Sequence, residues 1–315
     1  MNKLIGNTPM IKIFYKYKDK IDAIYVKLEY YNLTGSIKDR MVFYILDKSK
    51  KDGILKDNMP IIEATSGNTG ISLAAYGAKN NHPVVIYMPD FVSIERRKLM
   101  EMFGAKVITY KKEEGGFERC IKEAQKEKEK QNGFSTNQFD NINNPLSHYD
   151  TTAKEIESQL NEIEYFVSGI GTGGTLMGVG SYLKEKYNTK IIALEPATMS
   201  LLTNGIKESH KIEGIGDEFI PSIIKKQLID DVIVISDIDA INMSDKIAKE
   251  LGIGVGISSG ANLLASILIK KAGNVVTVFP DDNKKYLTTD LYNNSNKDKS
   301  LVSNQITLID YEIVK

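Results

Sequence analysis

Residues 32–40 read Asn-Leu-Thr-Gly-Ser-Ile-Lys-Asp-Arg and join two different patterns of apolar residues. The alternation over residues 23–28 is typical of a strand, and the periodicity over residues 41–46 predicts a helix. The same change from strand to helix recurs along most of the chain. Repeated strand–helix units favour parallel sheets that helices cover on both faces. We therefore predict an α/β fold.

Lys38 falls in the first turn of the helix that this stretch opens. Thr34 or Ser36 is a suitable N-cap for that helix. The positive end of the helix dipole and the neighbouring Arg40 both disfavour an ammonium at this position. Lys38 is therefore a candidate amine nucleophile, although most lysines are solvated surface charges.

The remaining elements follow from the same patterns, and the last of them can pack either on this chain or on a partner. Further strands are predicted over residues 60–64, 84–88, 106–110, 165–168, 190–194, 232–236, 275–279 and 305–314. Further helices are predicted over residues 71–79, 93–103, 117–131, 151–160, 176–186 and 237–251, with another that opens at residues 256–260. The polar residues 293–300 are typical of a linker.

Composition limits the function. The 315 residues, 42% of them apolar, can bury a full core, and the length predicts two domains. Because 41 basic residues balance 41 acidic ones, we expect no general attraction to nucleic acid or to a membrane. The single cysteine, Cys120, excludes an intramolecular disulfide framework and fits a reducing compartment. With no signal segment and no apolar run near the length of a membrane span, we expect a soluble, cytoplasmic protein.

Two loops of small residues stand where helices are predicted to start, and backbone N–H groups bind anions at such places. Residues 169–175 are rich in glycine and can surround a phosphate, with threonine hydroxyls adding to the amides. Residues 65–70 offer serine, asparagine and threonine side chains suited to a carboxylate. A phosphate site, a carboxylate site and a lysine at a helix start suggest an amino-acid enzyme with a phosphorylated aldehyde cofactor.

Several motifs in order resemble the cysteine synthase and cystathionine β-synthase family of pyridoxal-phosphate enzymes. They are residues 5–9, 32–40, 65–70, 93–97, 169–175 and 256–260, and the resemblance extends from residue 2 to about residue 280. Residues 144–152 and 213–216 are most similar to the cystathionine β-synthase side, and we expect its catalytic core alone. The resemblance implies fold type II, the tryptophan synthase β-like architecture, in which each of two domains is a mostly parallel twisted sheet flanked by helices.

The resemblance also implies roles for individual residues. It assigns Lys38 as the Schiff-base lysine and as the general base that takes the Cα proton. Asn68 would contact the ring hydroxyl of pyridoxal 5'-phosphate, and Ser258, or less favourably Ser259, would face the pyridine nitrogen. A neutral hydroxyl there favours loss of a β-substituent over chemistry that needs a long-lived carbanion. The implied phosphate-binding residues are Gly171, Thr172, Gly173, Gly174 and Thr175, and the residues implied to surround the substrate carboxylate are Thr65, Ser66, Thr69 and Gln138.

The implied reaction is β-elimination from serine, O-acetylserine or cysteine to an aminoacrylate, followed by addition of a nucleophile. A small amino-acid substrate and a homodimer are implied as well. The chain departs from the family pattern at Leu33, where proline is usual, and at Asp217, where relatives often have an uncharged residue. We hypothesise that Asp217 acts as a base on water or thiol, so that cysteine gives hydrogen sulfide and serine. A solvated loop acid is the competing interpretation.

A different class of enzyme fits part of the same sequence. Gly169, Gly171 and Gly174 match G-x-G-x-x-G between a strand and a helix, and Glu195 ends the next strand about 20 residues on. These are features of an NAD-dependent dehydrogenase, but they leave residues 32–40 and 65–70 unexplained. An inactive ligand-binding sensor on the same fold is a third possibility.

We predict three parts along the chain. The smaller N-terminal domain covers residues 36–140 and includes a mobile part, around residues 84–131, that closes over the substrate. The larger domain, which binds the cofactor phosphate, combines residues 1–35 and 141–290. Residues 291–315 are a C-terminal linker and tail.

The remaining polar residues give no clear function. His82, His148 and His210 lack the spacing of metal ligands, so each is interpreted as a surface or satisfied loop residue and no metal site is predicted. Asp281 and Asp282 follow a predicted strand, and the sequence assigns neither of them a role.

Overall fold

Strands and helices alternate along most of the chain. The computed structural model describes residues 3–270, 272–291 and 300–314. The strands are β1 (Met10–Tyr17), β2 (Lys20–Leu28), β3 (Ile61–Ala64), β4 (Val84–Pro89), β5 (Lys106–Tyr110), β6 (Tyr165–Gly169), β7 (Lys190–Pro196), β8 (Asp231–Ile235), β9 (Val275–Phe279) and β10 (Ile306–Ile313). The helices are α1 (Lys38–Lys51), α2 (Asn68–Asn80), α3 (Ile94–Met102), α4 (Gly116–Gln131), α5 (Asn143–Ser147), α6 (Ala153–Gln159), α7 (Gly174–Tyr187), α8 (Asp237–Leu251) and α9 (Ile257–Ile269).

The strands form two sheets. Within the described ranges, seven strands in the order β10-β1-β2-β9-β6-β7-β8 make the large sheet, and β3-β4-β5 make the small sheet. All pairs are parallel except β1 with β2 and β1 with β10. This architecture confirms the predicted α/β class with two mostly parallel sheets.

The antiparallel edge of the large sheet contains a strand that the sequence analysis did not predict. Strand β1 joins β2 through Lys18 and Asp19, whose φ angles of 50° and 63° suit a tight hairpin turn. The predicted terminal strand is present as β10, and it pairs with β1 of this chain. Most of the predicted linker, residues 293–299, lies outside the described residues.

Helices cover both faces of each sheet. On the small sheet, Cys120 and Ala124 of α4 pack against one face, and buried apolar side chains of α1, α2 and α3 pack against the other. On the large sheet, α8 and α9 cover one face, and α6 and α7 cover the opposite one. Burial raises the pKa of the Cys120 thiol to about 11, which agrees with an ordinary core residue.

The helical segment before β6 is longer than predicted. Helix α5 begins at Asn143 and runs through a π-helical turn, His148–Thr152, into α6. The predicted helix over residues 151–160 covers only its second half. Among the described helices, none combines the length and the hydrophobicity that a membrane span requires.

A buried cluster of charges fixes α1 to the large sheet. Arg40 donates to Glu29 over 2.6 Å and to Glu155 over 2.7 Å, and Lys27 lies 2.9 Å from Glu155. Burial alone would raise the pKa of Glu155, but the hydrogen bond and charge of Arg40 outweigh it and hold that pKa at about 2. The helix that begins with Lys38 is therefore held at its first turn.

Candidate active site

Lys38 is the first residue of α1 and lies at the carboxyl end of β9. The Ile37 amide donates to the Pro280 carbonyl over 2.9 Å, which ties the start of α1 to the end of that strand. Burial lowers the pKa of Lys38, while the negative charges of Asp217 and Asp281 oppose this shift. A lysine with a lowered pKa has the free amine that a nucleophile needs.

Two details of the predicted lysine turn were wrong. Ile37 is the N-cap of α1 and makes no side-chain cap, because Thr34 instead bonds the Asp39 carboxylate over 2.6 Å. Ser36 accepts only a long 3.3 Å bond from the Lys38 amide. Arg40 is not a cause of the lowered pKa of Lys38, because its guanidinium is paired with two carboxylates.

The glycine loop between β6 and α7 is shaped for close backbone approach. Gly173 has φ of 84°, which favours glycine. A Cβ at Gly171 would overlap the Gly214 carbonyl oxygen, and one at Gly174 would overlap the Asn144 side chain. Asn144 also donates to the Thr172 hydroxyl over 2.9 Å. The amides at the start of α7 therefore face a cavity without side chains in the way.

One cavity brings most of the predicted cofactor residues together. It is lined by Lys38, Asn68, Gly171, Thr172, Gly173, Gly174, Thr175 and Ser258, with Gly169, Glu213, Gly214 and Asn262 among its other walls. The residues predicted for the substrate carboxylate, Thr65, Ser66, Thr69 and Gln138, lie outside this lining. The structure thus joins the lysine to the glycine loop across a single cavity.

The loop over residues 65–70 lies next to that cavity, at the end of β3. Asn68 begins α2 and supplies the lining residue. Thr69 donates to the Gln138 side chain over 2.8 Å, and Thr65 accepts from the Gly67 amide over 3.1 Å. Ser66 is exposed. The four predicted carboxylate residues therefore form a neighbouring group rather than part of the cavity wall.

The two candidate serines differ in position. Ser258, in the first turn of α9, lines the cavity and is 3% exposed. Ser259 is fully buried, and its hydroxyl has no hydrogen-bond partner within the described residues. This placement agrees with Ser258 as the preferred choice.

Asp217 is half-buried and close enough to Lys38 for their charges to interact. Burial raises the pKa of Asp217 to about 6, and Lys38 opposes this shift. Asp217 lines a crevice of about 20 Å³ together with the apolar residues Phe219, Ile220 and Ile224. That volume holds about one water molecule. Asp217 is therefore partly shielded from solvent.

Two residues of the site were not recognised from the sequence. Asp281, at the end of β9, is 1% exposed and accepts from Asn68 over 2.8 Å and from Tyr286 over 2.7 Å. His148 is buried, with its ring nitrogens 3.0 Å from the Thr152 hydroxyl and 3.4 Å from the Thr175 hydroxyl. A polar residue directly after a parallel strand was the available signal for Asp281.

Within the described residues, no group of three or more His, Cys, Asp or Glu side chains is placed to hold a metal ion. The expectation of a surface or satisfied loop position was wrong for His148, which belongs to a helical segment. Burial lowers the pKa of His148 to about 3, so the ring is neutral. Neutral His148 can accept from or donate to Thr175 of the glycine loop.

Glu195 does not serve as a nucleotide-binding acid. Its carboxylate accepts from the Leu202 amide over 2.8 Å and from the Thr203 hydroxyl over 2.7 Å. The side chain is 6% exposed and is used to hold the following turn. The dinucleotide interpretation of this loop therefore lacks its acidic partner.

The lysine, the glycine loop and the loop over residues 65–70 lie together at the carboxyl ends of parallel strands. This is the arrangement that the resemblance to pyridoxal-phosphate enzymes of fold type II implies. The family model described as pyridoxal-phosphate dependent enzyme matches residues 1–281, and the chain belongs to this family. The predictions of family, fold type and cofactor are confirmed.

Cysteine synthases and hydrogen sulfide-producing enzymes are among the proteins that this chain resembles. A cysteine synthase of Staphylococcus aureus is 40% identical over 299 residues, which cover 93% of this chain and 96% of that protein. A hydrogen sulfide-producing enzyme from Fusobacterium nucleatum is 45% identical, with a TM-score of 0.94 over 99% of this chain and 97% of the other. An aspartate-to-asparagine variant of a hydrogen sulfide-producing enzyme, solved with an α-aminoacrylate intermediate, is 46% identical, with a TM-score of 0.93 over 97% and 95%.

The residues present fit pyridoxal 5'-phosphate. The glycine loop offers amides to a phosphate, and Lys38 offers an amine to an aldehyde. The buried Asn68 Oδ1 has no hydrogen-bond partner in the described part of the chain, as expected of a group that awaits a ligand. Ser258 supplies a neutral hydroxyl on another wall of the cavity.

Gly174→Ala is expected to weaken cofactor binding. The new Cβ overlaps the Asn144 side chain, and such overpacking costs about 1–3 kcal/mol, or roughly 5- to 150-fold in affinity. Titration of the apoprotein with pyridoxal 5'-phosphate measures the change. Gly180→Ala is the matched control in the same helix, because its Cβ would meet only the flexible Ile191 side chain at 3.1 Å. Equal affinities of the two variants would contradict a phosphate site in this loop.

Proposed function

We propose that this chain catalyses pyridoxal-phosphate-dependent β-elimination and β-replacement on cysteine, serine or O-acetylserine, and that it releases hydrogen sulfide from cysteine. In that reaction the Cβ–S bond of cysteine breaks, the sulfur leaves as hydrogen sulfide, and water or a thiol forms the new bond to Cβ. Water gives serine, and a thiol gives a thioether. The names of the similar proteins support the cysteine-directed class.

The proposal that cysteine is converted to hydrogen sulfide and serine rests on the surroundings of Asp217. This residue lines a crevice with room for about one water molecule, and its carboxylate interacts electrostatically with Lys38. A base with a pKa of about 6 is ionised at neutral pH and is still strong enough to take a proton from an attacking water. We therefore propose that Asp217 activates the nucleophile.

Each of the other site residues has a proposed part in the same reaction. Bound pyridoxal phosphate supplies the electron sink for the chemistry at Cα. Lys38 holds the cofactor and moves the Cα proton, and the amides over residues 171–175 hold the phosphate. Asn68 and Ser258 orient the ring, since both line the cavity. Thr65, Ser66, Thr69 and Gln138 bind the substrate carboxylate, which their position beside Asn68 supports.

Product analysis tests this proposal. The holoenzyme is incubated separately with cysteine, serine and O-acetylserine, with and without sulfide or homocysteine, and the products are identified by mass. We expect cysteine alone to give serine and sulfide. If the enzyme makes cysteine from O-acetylserine and sulfide but makes no serine from cysteine, it is a cysteine synthase. That result would refute the proposed release of sulfide from cysteine.

The two alternative functions have little support. The comparisons found cysteine synthases and hydrogen sulfide-producing enzymes, and Glu195 is engaged in a turn rather than free for a ribose. An inactive sensor predicts cofactor binding without turnover, which the same product analysis would reveal. A yellow preparation would fit the active enzyme and the inactive sensor, which both bind pyridoxal phosphate, and would not fit a dehydrogenase.

We also propose that the chain has two domains, forms a homodimer and lies in the cytoplasm. We propose a smaller domain over residues 36–140 and a larger one over 1–35 and 141–290, because the small sheet lies within the first range and β1, β2 and β6 to β9 lie within the second. A homodimer is proposed from the family resemblance. A cytoplasmic location is proposed from the single, buried cysteine.

A further inference from the structure

Arg96 is a buried arginine near the site, and the proposed mechanism does not use it. It lies in α3 and is 2% exposed, although its neighbour Arg97 is exposed and makes an ordinary helix pair with Glu101 over 2.8 Å. The guanidinium of Arg96 forms an ion pair with Glu213 and lies 4.6 Å from the centre of the Tyr286 ring. A charge buried to this degree needs such partners.

These contacts cross between the two sheets. Helix α3 packs in the core of the small sheet through Met100. Glu213 and Tyr286 belong to segments that follow β7 and β9 of the large sheet. A second bond, from the Thr288 hydroxyl to Glu95 over 2.9 Å, joins the same two regions beside it. Arg96 is therefore a charged link between the α3 region and the cofactor side.

Arg96 reaches the cavity through Asp281. Its Nη2 lies 3.9 Å from the Asp281 carboxylate, and that carboxylate accepts from the Asn68 side chain over 2.8 Å. The Tyr286 hydroxyl donates to the same oxygen over 2.7 Å. Because Asn68 lines the cavity, a displaced Arg96 would loosen one of its walls.

The loop over residues 65–70, which is proposed to bind the substrate carboxylate, also packs against Arg96. A Cβ at Gly67 would overlap Cδ of Arg96 and would lie 2.6 Å from its Nε. Gly67 is thus the residue that allows the arginine stem to pass beneath the loop over residues 65–70. Within the described residues, the buried Nε of Arg96 has no hydrogen-bond acceptor, so its position depends on packing against this loop and on its ion pairs.

We propose that Arg96 is a positioning residue that latches the loop over residues 65–70, together with Asn68, onto Glu213 and Asp281 of the cofactor side. The inference rests on the proposed function only for the identity of the substrate. The latch itself is a property of the folded chain. It holds the loop over residues 65–70 at one fixed distance from Glu213 and Asp281, and such fixed geometry is what a reaction between groups on the two sides requires.

Arg96→Gln tests the latch, with Arg97→Gln as the matched control on the same helix. We expect Arg96→Gln to raise the KM for cysteine about tenfold or more, since a charge-assisted contact is lost. In the holoenzyme of this variant, the amides of residues 65–70 should exchange with deuterium about tenfold faster than in the native holoenzyme. Arg97→Gln should change neither quantity.

Gly67→Ala gives a second, independent test, because it displaces Arg96 without removing its charge. We expect the same rise in KM and the same faster exchange. If Arg96→Gln fails to fold, Gly67→Ala and Arg96→Lys decide the question by the same readouts. Native exchange at residues 65–70 in a folded Arg96→Gln or Gly67→Ala protein would overturn the latch. Exchange needs no turnover, so an error in the proposed reaction would not obscure this result.

Discussion

Lys38→Ala is expected to abolish turnover of cysteine, with a loss of roughly 10⁴-fold or more. The amine both attaches the cofactor and moves the Cα proton in the proposed reaction, and general base catalysis alone contributes about 10²–10⁴-fold. The purified variant should also lose the yellow colour of a covalently attached cofactor. Borohydride reduction followed by mass measurement of the intact chain checks the attachment directly.

The same substitution should not harm folding. Burial lowers the pKa of Lys38, which means that the folded protein disfavours the charged amine. Removal of the amine removes this cost, so we expect the apoprotein to keep or exceed its native melting temperature. Lys48→Ala, at an exposed position of the same helix, is the control for activity. Full activity in Lys38→Ala, or covalent attachment at another lysine, would contradict the assignment.

Much of this site was predictable because its chemistry depends on the starts of helices. The glycine loop and Lys38 are continuous stretches of sequence, and the strand and helix around each of them could be recognised from local patterns. The structure adds that Pro280 and Ile37 join the ends of these units, which local patterns do not reveal. Continuous motifs were therefore recovered, and their assembly was not.

The residues that were missed act across the fold. Arg40 looked like a charge acting on Lys38, but it is neutralised by Glu29 and by Glu155, which is 115 residues away. Asp281 likewise acquires a role only through Asn68, which is 213 residues away. Strand β1 was missed as well, and one of its two partner strands, β10, lies near the other end of the chain. Pairing partners distant in sequence cannot be read from one chain's local periodicity.

Asp217 could be recognised from the sequence, but its surroundings could not. The sequence marked it as a departure from the family pattern, and only the structure shows that it is half-buried and shares an electrostatic environment with Lys38. Glu218, the next residue, has a side chain that is 65% exposed and pairs with Lys207 over 3.3 Å. Two adjacent acids therefore have different surroundings, and this difference provides a matched test.

Asp217→Asn is expected to reduce steady-state formation of serine from cysteine by roughly 100-fold or more, within the range for a lost general base. Asparagine keeps the size of the side chain but cannot accept the proton of an attacking water. Because burial raises the pKa of Asp217 to about 6, the native enzyme should gain activity as pH rises through about 6 and the carboxylate ionises. That rise should be absent from the residual activity of the variant.

A single-turnover measurement separates this role from a defect in binding. If Asp217 acts only on the incoming nucleophile, the variant should still release about one equivalent of sulfide per site in a first rapid phase, before serine formation stalls. Glu218→Gln should leave both phases and the pH profile unchanged, because that carboxylate is exposed. Unchanged sulfide release and serine formation in Asp217→Asn would show that another group, or the solvent itself, activates the nucleophile.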